Sequence, residues 1–256
     1  MSDPLAQFSL ENRVAIVTGA TEGIGRGMAI GLAEAGADVV VCGRREDALR
    51  EVQADVARTG RRGEACPLDV CKMADIERLK DFTLERFGKV DILVNAAGFT
   101  VTKPAWDMTE EEWDRMVDTG FKGLFFSCQI IGSAMRSRGY GKIINLSSTF
   151  SRSIISGRSV YGGIKAGVTH LTEALAMEWA PDGIRVNALA PTAVLTPSRE
   201  SLLQGEVLER ILSRIPLGRL ATPDDLTGAA VYLASPASDF VTGQTLFVDG
   251  GWVAAS

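Results

Sequence analysis

The run Val14-Ala15-Ile16-Val17-Thr18-Gly19-Ala20-Thr21-Glu22-Gly23-Ile24-Gly25 decides the fold class. Val14–Thr18 is short and continuously apolar, the pattern of a strand covered on both faces. From Gly23 the spacing turns helical and predicts a helix over Gly23–Ala35, stopped by Gly36. Between the two lies a turn with glycines at 19, 23 and 25. Glycine there permits a tight reversal and close approach to the backbone. The helix start behind it offers free N–H groups and the positive end of a dipole to a pyrophosphate. The spacing is Gly-x-x-x-Gly-x-Gly, not the commoner Gly-x-Gly-x-x-Gly. A glycine-rich turn without a ligand is the competing reading. Placement between a first strand and a first helix favours a nucleotide.

Outward from this turn the same alternation continues. Strands are predicted at Val39–Cys42, Glu64–Leu68, Val90–Asn95, Lys142–Leu146, Ile184–Leu189 and Thr245–Val248. Helices are predicted at Glu46–Arg58, Ala74–Phe87, Glu110–Arg138, Val160–Ala180 and Pro223–Leu233. Short apolar strands separated by helices imply right-handed parallel crossovers. The expected fold is α/β: a doubly wound, mostly parallel, Rossmann-like sheet of about seven strands with helices on both faces. No linker, repeat or low-complexity tract divides the chain, so residues 1–256 read as one domain.

Composition narrows the function. Of 256 residues, 46% are hydrophobic and 23% charged, enough apolar material for a large core. A net charge of −5 gives no electrostatic case for nucleic acid or an anionic membrane. Met1–Gln7 lacks the basic flank and apolar run of a signal peptide, and the apolar runs are strand-sized. A soluble, cytoplasmic protein acting on a small molecule is expected. Cys42, Cys66, Cys71 and Cys128 are scattered and complete no zinc site, so no metal is expected. His170 is the only histidine and sits in a helical pattern, which argues against histidine-based catalysis.

In a doubly wound sheet, ligands bind beyond the carboxyl ends of the strands. After the second strand the chain runs Gly43-Arg44-Arg45. An acid there would hold the ribose 2′-hydroxyl of NAD, whereas arginine suits the 2′-phosphate of NADP. NADP(H) is favoured over NAD(H), against the competing reading of a solvated basic pair. Asp69 either accepts from the adenine amino group or caps the next helix. After the fifth strand come Ser147-Ser148, and Tyr161 and Lys165 then share one helix face at a spacing of four. A phenol ionises near pH 10, and useful acid–base work near pH 7 needs a fall of about three pKa units, or about 4 kcal/mol. A neighbouring ammonium acts in that direction, and Ser148 supplies a hydrogen bond for a substrate oxygen.

Taken together, the chain resembles the short-chain dehydrogenase/reductases over nearly its full length. The resemblance rests on Thr18–Gly25, on Asn95-Ala96-Ala97-Gly98, and on Ser148 thirteen residues before Tyr161 with Lys165 beyond. It rests also on the tail from Pro216-Leu217-Gly218-Arg219 to Val248-Asp249-Gly250-Gly251. The resemblance implies an NAD(P)(H)-dependent oxidoreductase interconverting an alcohol and a ketone or aldehyde. Tyr161 would be the general acid–base. Lys165 would bind the nicotinamide ribose and lower the tyrosine pKa, and Ser148 would orient the substrate oxygen. The implied cofactor contacts are Gly19, Thr21, Glu22, Gly23, Ile24 and Gly25, then Arg44, Arg45, Asp69 and Val70. Asn95, Ala96, Gly98, Tyr161, Lys165, Pro191, Val194 and Thr196 complete that set. A homo-oligomer is implied, a tetramer or dimer built through the helices at 110–138 and 160–180 and the last strand, as is a substrate lid around 192–215.

Two positions depart from the family pattern. Gly120 stands where the family usually has an asparagine that helps hold a water linking the lysine to solvent, and Thr192 follows Pro191 where glycine is usual. Substrate-lining candidates are Phe99, Thr100, Phe150, Arg152, Arg158, Thr192 and Arg199. Arg152 and Arg199 suggest an anionic or polyhydroxylated substrate, so a polyol, sugar acid or small ketone is expected. Two alternatives stand beside it: a 3-oxoacyl thioester reductase served by an acyl carrier protein, and a non-catalytic nucleotide-binding protein whose proton relay is degraded at Gly120.

Overall fold

In the computed structural model, which describes residues 4–255, the strands are β1 (Val14–Thr18), β2 (Asp38–Gly43), β3 (Gly63–Pro67), β4 (Ile92–Asn95), β5 (Gly141–Leu146), β6 (Ile184–Pro191) and β7 (Thr245–Val248). The helices are α1 (Gly23–Glu34), α2 (Glu46–Arg58), α3 (Met73–Phe87), α4 (Glu110–Val117), α5 (Gly123–Arg136), α6 (Ser159–Trp179), α7 (Gly205–Leu212) and α8 (Pro223–Ala234). The strands form one sheet in the order β3-β2-β1-β4-β5-β6-β7, and every neighbouring pair is parallel. The order reverses between β1 and β4, which register Thr18 against Asn95.

Alternation of side chains across the sheet explains why the strands are apolar throughout. Ala15, Val17, Val39, Val41, Ile92 and Val94 face one core, where α1, α2 and α8 cover them through residues such as Met28, Leu49 and Leu226. Ile16, Val40, Leu93 and Ile143 face the other, covered by α3, α5 and α6 through Leu79, Ile131 and Val168. Polar backbone reversals are thereby driven to the sheet's two ends.

Two elements differ from the sequence expectation. The helix expected over 110–138 is interrupted by a wide π turn at Asp118–Lys122, where the N–H of Gly123 reaches back to the carbonyl of Asp118. Helix α7 lies within the expected lid segment, where no helix is predicted from the sequence. Gly205 at its first position and Pro197 further upstream punctuate the sequence as loop and mask a short helix.

The turn after β1 is set by close backbone contact. Gly19 has φ +68°, and a Cβ added at Gly25 would lie 2.2 Å from the Gly19 carbonyl oxygen. Neither partner is a flexible side chain, so neither gives way. Gly25→Ala is expected to destabilise the fold by about 3 kcal/mol, read as a lowered midpoint in urea unfolding with an unchanged m value.

Candidate functional site

The carboxyl ends of β1, β2, β4, β5 and β6 open onto a cleft of about 850 Å³. Its floor begins at the glycine turn, and Gly19, Thr21, Glu22, Gly23, Ile24 and Gly25 all line it. The Thr18 hydroxyl accepts from the N–H groups of Ala96 and Ala97 at 3.2 and 3.4 Å. That contact ties the exit of β4 to the end of β1, and a Cβ at Gly19 would fall 2.7 Å from the Ala97 nitrogen. The cradle is therefore held open by three chain segments that nearly touch.

At the end of β2 the two arginines part company. Arg45 donates to Glu22 at 2.6 Å and to Thr21 at 3.3 Å, so its charge is already matched. This hydrogen bond is the main reason that the Glu22 carboxyl lies below its ordinary pKa, with the Ser198 hydroxyl helping. Arg44 is exposed on the cleft wall and has no hydrogen bond or ion pair among the described residues. Asp69 and Val70 line the same end. Asp69 accepts from the N–H of Cys71 at 3.1 Å, which makes it a turn former ahead of α3 as well as a cleft residue.

Beneath the exit of β4, Asn95 does not reach the cleft surface. It is buried, and its amide donates to Asn145 at 3.0 Å and Cys128 at 3.2 Å, while Asn145 donates to Thr172 at 3.0 Å. Burial pushes the Cys128 thiol up to about 12, so it acts here as a neutral donor and acceptor. This network joins β4, β5, α5 and α6 below the site. Above it Ala96, Gly98, Phe99 and Thr100 line the cleft.

Ser148, Tyr161 and Lys165 come together where β5 meets the start of α6. Ser148 is buried, and its hydroxyl accepts from the N–H of Phe150 at 3.2 Å. The Lys165 ammonium is buried and, among the described residues, pairs with no carboxylate; it donates to the Leu146 carbonyl at 2.6 Å and lies 5.6 Å from the Tyr161 ring centroid. Burial lowers the Lys165 pKa to about 8. Burial also pushes the Tyr161 phenol above its ordinary value, against the downward pull of Ser148, Arg199 and Arg158. The direction is opposite to the fall that the sequence led us to expect, because loss of water around the phenol outweighs every neighbouring cation. Gly120 lines the cleft from the π turn, and a Cβ there would meet only Ile164, at 3.3 Å.

The exit of β6 supplies Val194 and Thr196, both buried and both on the cleft wall, with Ser198 and Arg199 beyond them. Pro191 closes β6, and neither it nor Thr192 lines the cleft. Phe150 packs edge-on against Tyr161 and Trp252 at 6.2 Å, so it supports the phenol from behind. Arg152 is directed over the Phe247 ring at 5.8 Å, away from the cleft, whereas Arg158 faces into it. Leu203, Val207 and Ile211 also line the cleft, a contribution not read from the sequence although Val207 and Ile211, four apart, share one face of α7. His170 is a surface residue 3.0 Å from Glu173. No group of metal-ligating side chains assembles among the described residues, and no described helix is long and apolar enough to cross a membrane.

A family model described as enoyl-(acyl carrier protein) reductase matches residues 19–253. The chain is 41% identical to a 2-dehydro-3-deoxy-D-gluconate 5-dehydrogenase of Escherichia coli, over 98% of this chain and 99% of that one. It is 38% identical to an NAD-dependent glycerol dehydrogenase of Listeria innocua, over 96% and 95% of the two chains. Its structure is similar to that of a gluconate 5-dehydrogenase from Burkholderia cenocepacia in complex with NADP and tartrate. The TM-score is 0.95, with 36% identity over 99% of this chain and 100% of that one.

The buried ammonium has a consequence for stability. The fall of the Lys165 pKa to about 8, which already includes its hydrogen bond to Leu146, means that keeping the ammonium charged in the fold costs about 3 kcal/mol. Lys165→Met is expected to stabilise the protein by about 3 kcal/mol at pH 7. Between about pH 8 and 10.5 the folded state binds fewer protons than the unfolded one, so wild-type stability rises with pH and the variant's advantage shrinks to nothing. Urea unfolding across that range checks both the size and the slope.

Proposed function

This chain belongs to the short-chain dehydrogenase/reductase family, and from that premise we propose that it interconverts a secondary alcohol and a ketone on a polyol or sugar acid with NADP(H). It is an NAD(P)-dependent oxidoreductase acting on CH–OH groups. The observation that carries the reading is the meeting of Tyr161 and Lys165 at one end of a cleft whose other end is the glycine cradle, with the buried Ser148 hydroxyl on the phenol.

The residues present fit a dinucleotide. A side chain at Gly19 or Gly25 would collide with backbone, which keeps open the approach to the N–H groups at the start of α1. Thr196, buried beside Gly23, closes the cradle from the β6 side. Arg44, without a partner among the described residues at the end of β2, suits a 2′-phosphate, while Arg45 is held by Glu22. When bound, the nicotinamide supplies or accepts the hydride.

The protein's own part is to move the proton and hold the oxygen. In the reducing direction Tyr161 gives its phenolic proton to the carbonyl oxygen, and Ser148 donates a hydrogen bond to the same oxygen. In the oxidising direction Tyr161 takes the hydroxyl proton. Lys165, anchored by Leu146, places a cation beside the phenolate that results. Asn95 and the network below keep the ends of β4 and β5 in register. The segment 192–215, with Leu203, Val207 and Ile211 turned to the cleft, serves as a lid that excludes water, within a single domain. Met108, Trp113 and Phe121 on α4, the residues ahead of it and the π turn form an apolar groove with Val160 and Ile164 of α6. That groove supports self-association through these helices.

Consumption of NADPH with a panel of ketoses, keto-acids and acyl thioesters tests the reading. Turnover of the free ketones supports it, turnover of thioesters alone replaces it with acyl reduction, and tight cofactor binding without turnover replaces it with a binding role. In the same assay Arg44→Ala is expected to raise the KM for NADPH at least about tenfold and to leave that for NADH within about twofold.

A further inference from the structure

The cleft is electrically lopsided. Among its described lining residues the only carboxylates are Glu22 and Asp69, both at the glycine-turn end, and Glu22 is already matched by Arg45. The Tyr161 end holds two guanidinium groups, Arg158 and Arg199, and no acid.

Arg158 stands immediately before α6, three residues ahead of Tyr161. One of its terminal nitrogens donates to the Thr100 hydroxyl at 2.6 Å, which pins the side chain across the mouth between β4 and α6. Its Nε is buried and has no hydrogen-bond partner. Arg199, half-buried at the start of the proposed lid, has no side-chain partner among the described residues. Burial lowers the pKa of Arg158, and the charge of Arg199 lowers it further. Both charges also reach the Tyr161 phenol.

Two partly desolvated cations that repel each other, one with an orphaned donor, form an arrangement that an anion would relieve. A guanidinium pair offers several N–H donors in fixed planes, matched to the two oxygens of a carboxylate. We infer that Arg158 and Arg199 clamp the carboxylate of the substrate, so that the chain acts on hydroxy-acids and keto-acids in preference to neutral polyols. The inference rests on the oxidoreductase reading and sharpens its substrate class. It also moves the anion-recognition role from Arg152, which lies over Phe247, to Arg158.

The test compares oxidation of an aldonate with that of the alditol of equal chain length, at saturating NADP. The wild type is expected to favour the aldonate. Arg158→Met and Arg199→Met are each expected to lower the aldonate-to-alditol ratio of kcat/KM at least about 30-fold, with Arg158→Lys recovering part of the loss. Arg199 lies outside the sheet and its covering helices, so its variant reports even if Arg158→Met fails to fold. A ratio that does not move in either variant overturns the clamp. So does a raised KM for NADP at constant ratio, which would place the arginines on the cofactor phosphates. Wild-type preference for the alditol overturns the clamp and leaves the oxidoreductase reading standing. Failure of the wild type on every alcohol and ketone overturns the reading beneath it.

Discussion

The close return of the chain after β1 is the contact on which the open end of the sheet depends. The Gly19 carbonyl oxygen and the Gly25 Cα lie so near that no side chain fits between them. That contact sets where α1 begins, and therefore where its unpaired N–H groups point. It also places Gly19 against Ala97, so the first turn and the exit of β4 are built as one piece with Thr18 as the tie. The strand order reverses at this junction, which leaves a crevice that neither neighbouring crossover covers.

Charge is distributed along that crevice with a clear logic. At one end Glu22 and Arg45 neutralise each other and leave Arg44 free. At the other, burial strips water from a phenol and an ammonium, raising the Tyr161 pKa and lowering that of Lys165 to about 8. Both shifts disfavour the charged pair that the proposed chemistry uses. Such a site is strained electrostatically until further charge enters, a common bargain between stability and function. The polar network of Asn95, Asn145, Cys128 and Thr172 beneath it carries no net charge and keeps the geometry rigid.

Much of this was legible in the sequence because it rests on local rules. Strands buried on both faces read as apolar runs, and Tyr161 and Lys165 share a helix face by spacing alone. The glycine turn could be read because only glycine tolerates that geometry. What escaped was decided by tertiary contact. Whether Arg152 or Arg158 faces the cleft depends on a short 3-10 turn at Thr149–Ser151 and on where Phe247 and Thr100 lie. The π turn at Asp118–Lys122 had no stronger signal than Gly120 in a helical pattern. Helix α7 was hidden by Gly205, although Val207 and Ile211 repeat at helical spacing.

In the proposed reaction the Tyr161 hydroxyl moves the proton while the cofactor binds elsewhere in the cleft. Replacing that single oxygen tests it most directly. Steady-state NADPH oxidation by Tyr161→Phe with a keto-acid is expected to show kcat reduced at least about 1,000-fold, while the Kd for NADPH by fluorescence titration stays within about threefold of wild type. A variant that binds NADPH normally and keeps more than about a tenth of the wild-type kcat would contradict the account.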